Sequence, residues 1–172
     1  MEYRIRPLKK SDKRKEFASG QADLDHFFKR YAGQNQFRHH IGVTYIATDE
    51  ENIFGYMTVA MGVIEAEGLP ERKSLNAPYP LPILRLAQLA VDNRCQGQGV
   101  GKQLLRYALR LALQQKDTVE CVGTVVDAKQ EAVEFYKKLG FSMIDDLVER
   151  EIRGNPPPKP MFLPIKAIPV QQ

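Results

Sequence analysis

The sequence predicts a mixed α/β fold, and three observations carry that prediction. An apolar run from Ile83 to Val91 enters a glycine-rich turn and leaves it as an amphipathic helix. A second, β-branched run from Val119 to Val126 is followed by another helical pattern that stops at Gly140. Upstream, Gly42 to Thr48 and Ile53 to Glu65 are strand-like segments joined by the polar turn Asp49-Glu-Glu-Asn52, as in an antiparallel hairpin. A hairpin followed by strand, helix, strand and helix is the order expected of one sheet covered by helices.

Each element has its own signal. Tyr3 to Pro7 alternates as a short opening strand, and Leu24, Phe27, Phe28 and Tyr31 recur at the spacing of one helical face. Ile83 to Val91 is apolar almost throughout, as a strand buried on both faces would be. Past Gly99, the residues Val100, Leu104, Leu105, Ala108, Leu109 and Ala112 form an apolar helical face, with Lys102, Arg106 and Arg110 on another. Asp127 followed by Gln130 reads as a capping box for a helix burying Ala132, Phe135, Tyr136 and Leu139, which Gly140 closes at its C-cap. Phe141 to Leu147 and Lys159 to Ile165 read as closing strands around the loop Asn155-Pro-Pro-Pro-Lys-Pro160.

Composition bounds the function. With 172 residues the chain fits one domain spanning 1–172 with a full core. A net charge of +4 favours polyanionic partners or an anionic cofactor. No signal peptide and no apolar run of spanning length is visible, so a cytoplasmic protein without a membrane partner is expected. Cys95 and Cys121 lack metal-type spacing with His26, His39 and His40, which fits a reducing compartment and no metal site.

The turn Arg94-Cys-Gln-Gly-Gln-Gly-Val-Gly-Lys102 joins a strand to a helix, so its bare N–H groups face the place where an anion would sit. Walker A fails, because Gln103 follows the lysine and no glycine stands five residues before Gly101. The dinucleotide fingerprint fails as well, with Lys102 and Leu104 where its third glycine belongs. The plainer alternative is that these glycines only make a tight turn.

Gln96-Gly-Gln-Gly-Val-Gly101, preceded by Leu89-Ala-Val-Asp92, resembles the acyl-CoA pyrophosphate loop of the GNAT acetyltransferases. The block Asp127 to Phe141 is similar to the same family's motif ending in Phe-Tyr and Gly-Phe. The resemblance implies a mostly antiparallel sheet of six to seven strands with about four helices, and acetyl-CoA as cofactor. It implies that the N–H groups of Gln98 to Lys102 hold the pyrophosphate and that Leu89, Ala90 and Val91 pair with the pantetheine arm. Gln96, Gly97, Gly99, Val100, Gly101, Asp127, Ala132, Phe135 and Tyr136 complete the implied cofactor contacts.

Tyr136 would protonate or hydrogen-bond the departing thiolate. With reference pKa values of about 10 and 8.5, that transfer is only about 2 kcal/mol uphill. The alternative for Tyr136 is an ordinary core aromatic. Direct transfer needs no nucleophile, so Cys95 is incidental, and Ile83 to Val91 offers no carboxylate or histidine as a base. Deprotonating a lysine at pH 7 costs roughly 4.6 kcal/mol against about 1.4 for an α-amine, so a base-poor site suits an α-amine.

Almost the whole chain resembles one branch, the GNAT toxins that acetylate the α-amine of aminoacyl-tRNA and are neutralised by a small ribbon-helix-helix antitoxin. The marks are Phe17-Ala-Ser-Gly20, the helix Leu24 to Ala32, Gln34-Asn-Gln36, Gly55-Tyr56, Tyr79-Pro-Leu-Pro82 and Phe162-Leu163. Two departures stand out. The branch often has Cys-Gly in place of Ser19-Gly20, and an arginine in place of Gln88. Lys29, Arg30, Arg38, Lys102, Arg106 and Arg110 would then serve RNA phosphates, unless they are simply a solvated helix surface. Acetylation of a small amine or a protein N-terminus, and a non-catalytic acyl-CoA or RNA module, are the competing readings; a homodimer is left open.

Overall fold

The structure, a computed structural model, describes residues 1–65, 80–144 and 158–169. Seven strands form one sheet: β1 (Arg4–Pro7), β2 (Val43–Thr48), β3 (Ile53–Ile64), β4 (Leu81–Val91), β5 (Gly123–Ala128), β6 (Ser142–Met143) and β7 (Lys159–Pro164). Their spatial order is β1-β2-β3-β4-β5-β7-β6. The pairs β1/β2, β2/β3, β5/β7 and β6/β7 are antiparallel. The helices are α1 (Ala22–Arg30), α2 (Ala32–Gln34), α3 (Val100–Thr118) and α4 (Val133–Lys138), with a π turn at Asn35–His39 continuing α2. The expected mixed α/β sheet of six to seven mostly antiparallel strands with four helices is therefore what forms.

The chain divides into two compact units. One comprises Met1–Ala60 with Leu86–Ala108, the other Met61–Arg85 with Leu109–Gln172. The first builds its core from aromatic side chains. Tyr56 on β3 is fully buried, stacks on Phe28 of α1 at 4.3 Å, and meets Phe17 edge-on at 5.6 Å. A buried phenol must find an acceptor, and the Tyr56 hydroxyl donates to the Leu24 carbonyl at 2.6 Å. The same polar tip thus ties α1 to the strand it covers. The second unit packs Ile64, Leu81, Ile83, Val125, Ile144 and Phe162 into one cluster.

Several local expectations are corrected. The strand expected at Val119 starts at Gly123, because α3 runs on to Thr118 and Val119, 65% exposed, gains nothing from burial there. Asp127 is not a helix cap. It lies inside β5 opposite Pro160, and the following turn starts at Lys129, whose side chain does not cap it. Ala132, Phe135 and Leu139 are half-buried, so only Tyr136 of the expected set is fully covered. Leu109 and Phe27 are also half-buried, and Tyr31 is exposed, its ring turned edge-on to His26 at 5.4 Å. Arg85 and Ala87 to Leu89 are half-buried, so β4 is not covered on both faces along its length. Part of the loop from Tyr79, the end of the strand expected from Phe141 to Leu147, and residues 155–157 lie outside the described residues.

Candidate active site

The glycine turn begins where β4 ends. Asp92, 2% exposed, accepts from the Arg94 N–H at 3.0 Å, from Arg94 Nε at 2.8 Å and from the Ala18 N–H at 3.2 Å. Burial alone would raise this carboxyl, but the bonds from Arg94 and Ala18 outweigh it and hold Asp92 below the usual carboxylate range. Asp92 also donates its N–H to Phe54 O, and Asn93 donates to Ala18 O, both at 2.8 Å. The turn is therefore pinned on both sides before it reaches the glycines.

Gln96 is exposed, and its side chain donates from Nε2 to Ser19 O at 2.8 Å and Val91 O at 3.1 Å. It braces the turn against the Ser19-Gly20 corner. Ser19 itself bonds Asp25 of α1 through its hydroxyl at 2.6 Å, a contact a thiol would make more weakly. Gly97 and Gly99 have φ of +79° and +85°, and a Cβ at either would meet nothing within 4 Å. Both points matter. The positive φ explains why glycine is used, and the empty space beside the backbone is what a bound group requires.

Val100 then opens α3, a helix of 19 residues, and its first turn presents N–H groups with no partner further back in the helix. Partial positive charge accumulates there, which suits a phosphate. Gln98, Gly99 and Lys102 around this turn are exposed and Gly101 half-exposed, while Val100 and Ala90 are buried anchors. Leu89 and Val91, expected to offer backbone groups, are half-exposed near the end of β4.

Tyr136 is held by the end of its own helix. Gly140 at φ +96° lets the Phe141 N–H return to Tyr136 O at 3.1 Å and the Gly140 N–H to Lys137 O at 3.0 Å. These two bonds make a Schellman motif, and Phe141 closes it by packing edge-on against the Tyr136 ring at 5.5 Å. Phe135 meets the same ring at 5.2 Å. Burial, with the Asp127 charge added, pushes the Tyr136 phenol above its ordinary value, so it stays protonated at neutral pH.

The place of Asp127 is not disclosed by the sequence. Its Oδ2 lies 3.4 Å from Nε of Arg85 on β4, but that nitrogen is a buried donor without an aligned hydrogen bond. Burial raises the Asp127 carboxyl despite the neighbouring guanidinium. Lys29 and Arg30 of α1 line a cavity of about 400 Å³ together with Arg14, Lys15 and Asp12, so Arg14 and Lys15 join the expected basic residues there. Arg38 on the π turn and Lys102, Arg106 and Arg110 on α3 are exposed. Cys95 and Cys121 are buried free thiols. Among the described residues there is no grouping suited to a metal ion, and no helix long and apolar enough to cross a membrane.

A strand, a glycine turn at positive φ, a helix N-terminus and a protonated tyrosine are the parts an acyl-CoA enzyme needs. Residues 40–143 match the family profile described as the acetyltransferase (GNAT) domain. The chain belongs to the GNAT acetyltransferase family. It is 30% identical over 128 residues to a tRNA-acetylating toxin of Mycobacterium tuberculosis (strain ATCC 25618 / H37Rv), covering 74% of this chain and 76% of that protein. Its structure is similar to AtaT complexed with acetyl-methionyl-tRNAfMet, with a TM-score of 0.84, 27% identity and 97% of each chain covered. It is also similar to an AtaT toxin variant bound to the C-terminus of the antitoxin AtaR and acetyl-CoA, with a TM-score of 0.77, 25% identity and coverage of 98% and 96%. As a GNAT enzyme the chain is an acetyltransferase whose acyl donor is acetyl-CoA.

The residues present fit that donor. The open side of Gly97 and Gly99 leaves room for the pyrophosphate, and the α3 N-terminus supplies its donors.

Proposed function

We propose that this acetyltransferase transfers acetyl from acetyl-CoA to the α-amine of aminoacyl-tRNA, and that it acts as a cytoplasmic toxin held in check by a small ribbon-helix-helix antitoxin. The observation that carries the acceptor is the likeness over 97% of the chain to a protein in complex with acetylated aminoacyl-tRNA. The chemistry of this chain supports it. An α-amine is about two pKa units easier to deprotonate than a lysine amine, and the ester link to tRNA lowers it further.

The whole chain is assigned as one catalytic domain. Gln98 to Lys102 bind the pyrophosphate through backbone N–H groups, with Gly97 keeping the approach open and Gln96 bracing the turn. Leu89 and Val91 offer backbone groups to the pantetheine arm, with Ala90 between them, and Ala132, in the turn before α4, and Phe135, beside Tyr136 on α4, complete the cofactor contacts. Acetyl-CoA supplies an activated thioester. Tyr136 donates its phenol proton to the thiolate as the C–S bond breaks. Its raised pKa keeps the proton on the phenol until the thiolate forms. Lys29, Arg30, Arg38, Lys102, Arg106 and Arg110 contact RNA phosphates, and Arg14 and Lys15 extend the α1 set.

The test incubates the protein with radiolabelled acetyl-CoA and total aminoacylated tRNA, with uncharged tRNA, polyamines and N-terminal peptides in parallel. Label on charged tRNA alone is the expected result. Label on a polyamine or peptide, with none on charged tRNA, overturns the acceptor and the antitoxin together.

A further inference from the structure

The attacking amine must lose a proton, and the described part of β4 supplies no residue to take it. Arg85 on β4 and Asp127 on β5 stand at alternate positions from Ile83 and Val125, so each shares a sheet face with its apolar neighbour. Ile83, Val125 and Phe162 belong to one buried cluster, which places the Arg85–Asp127 pair at the margin of an apolar surface. Asp127 is the one carboxylate at the face-sharing positions of β4 and β5, and no imidazole accompanies it. Its side chain keeps 19% of its surface accessible, so a substrate amine can reach it.

The pairing with Arg85 is loose. At 3.4 Å and out of line, the guanidinium Nε fixes the carboxylate electrostatically without occupying its oxygen through an aligned hydrogen bond. A carboxylate has about four acceptor positions, so capacity remains for an incoming N–H. Asp127 also lies close enough to Tyr136 for its charge to act on the phenol.

We propose that Asp127 is the catalytic proton acceptor for the attacking amine, held in place by Arg85 and acting opposite Tyr136. This rests on the acetyl transfer proposed above. The amine nitrogen's lone pair forms the new bond to the thioester carbonyl carbon, and its N–H becomes strongly acidic as that pair is committed. Asp127 takes this proton. The C–S bond breaks with its electron pair on sulfur, and sulfur takes the Tyr136 proton. The neutral Asp127 acid then returns a proton to the Tyr136 phenolate, so amine and thioester become amide and thiol with both residues restored. The burial that raises the Asp127 carboxyl makes it a better base than an ordinary aspartate.

The test measures single-turnover acetyl transfer from radiolabelled acetyl-CoA to aminoacylated tRNA by full-length variants. Asp127→Ala is expected to slow transfer about 10²- to 10³-fold, to bind acetyl-CoA within about threefold of the wild type, and to regain at least about tenfold in rate with sodium formate. Asp127→Glu should fall between the alanine variant and the wild type. A rate within about threefold of wild type overturns the proposal, as does a slow variant that formate does not rescue. Weakened acetyl-CoA binding as the source of the loss also overturns it, because it would make Asp127 a cofactor contact. If the alanine variant does not fold, the nearly isosteric Asp127→Asn decides by its rate alone. The comparison is run on whichever amine the wild type labels. An error about the acceptor then appears as a different labelled product in the wild type, and an error about Asp127 as an unchanged rate in the variant.

Discussion

Tyr136 is buried by residues close to it in sequence, so its ring can stay in place when its hydroxyl is removed. Tyr136→Phe is therefore expected to fold normally, to bind acetyl-CoA, and to lose acetyl transfer by about 10²- to 10⁴-fold, as for a general acid. Calorimetric titration with acetyl-CoA alongside the radiolabel assay checks the separation; equal loss of binding and rate would make the phenol a structural group. Tyr136 was legible in the sequence because its neighbours form a contiguous motif. The position of Asp127 was not, since the spacing to Gln130 imitates a helix cap and its contact with Arg85 spans 42 residues of sequence, 85 to 127. Gln96 is legible only in part. Its position in the loop motif is plain, but only the fold shows its side chain turned to Ser19 O.

At the scale of elements, α4 is short, six residues, and an isolated helix of that length does not hold itself together. Its C-terminal motif does much of that work, with Gly140 in the left-handed region. Gly140→Ala is expected to destabilise the protein by about 1–2 kcal/mol, seen as a lower urea midpoint with an unchanged slope. Because the motif bonds to Tyr136 O, acetyl transfer should fall as well. Helix α3 is the opposite case, long and strongly patterned, with its basic residues four apart on an exposed stripe. Replacing Lys102 and Arg106 together by alanine should weaken binding of charged tRNA and flatten its dependence on salt by about one unit of log–log slope per residue. Filter binding over a range of salt concentrations checks this; an unchanged slope would leave the stripe a solvated surface.

Across the whole molecule, charge ties the first strand to the β2–β3 turn. Arg6 bonds Asp12 at 2.8 and 2.9 Å and Glu50 at 3.0 Å, and Arg4 adds a contact to Glu50 at 2.9 Å. Hydrogen bonding from Arg6, then from Arg4, pulls the Glu50 carboxyl from 4.5 to about 2, and Asp12 is lowered chiefly by its bond from Arg6. Carboxyls held below their unfolded values stabilise the fold fully above those values and release that stability as pH falls through the folded ones. Melting temperature should therefore decline from about pH 4.5 towards pH 2, and Arg6→Met should flatten that decline while lowering stability at neutral pH. A parallel decline in the variant would place the acid sensitivity elsewhere.

The order of elements, the glycine turn, the tyrosine helix and the family are each written in residues close together along the chain, and so are legible before folding. Periodicity reports which face is apolar, and a turn at positive φ leaves its mark as glycine. Element ends such as the start of β5, and the choice between helix cap and strand for Asp127, were decided by tertiary structure. They depend on pairing with Pro160 and on a guanidinium from another strand, and local propensity carries no information about partners so distant in sequence.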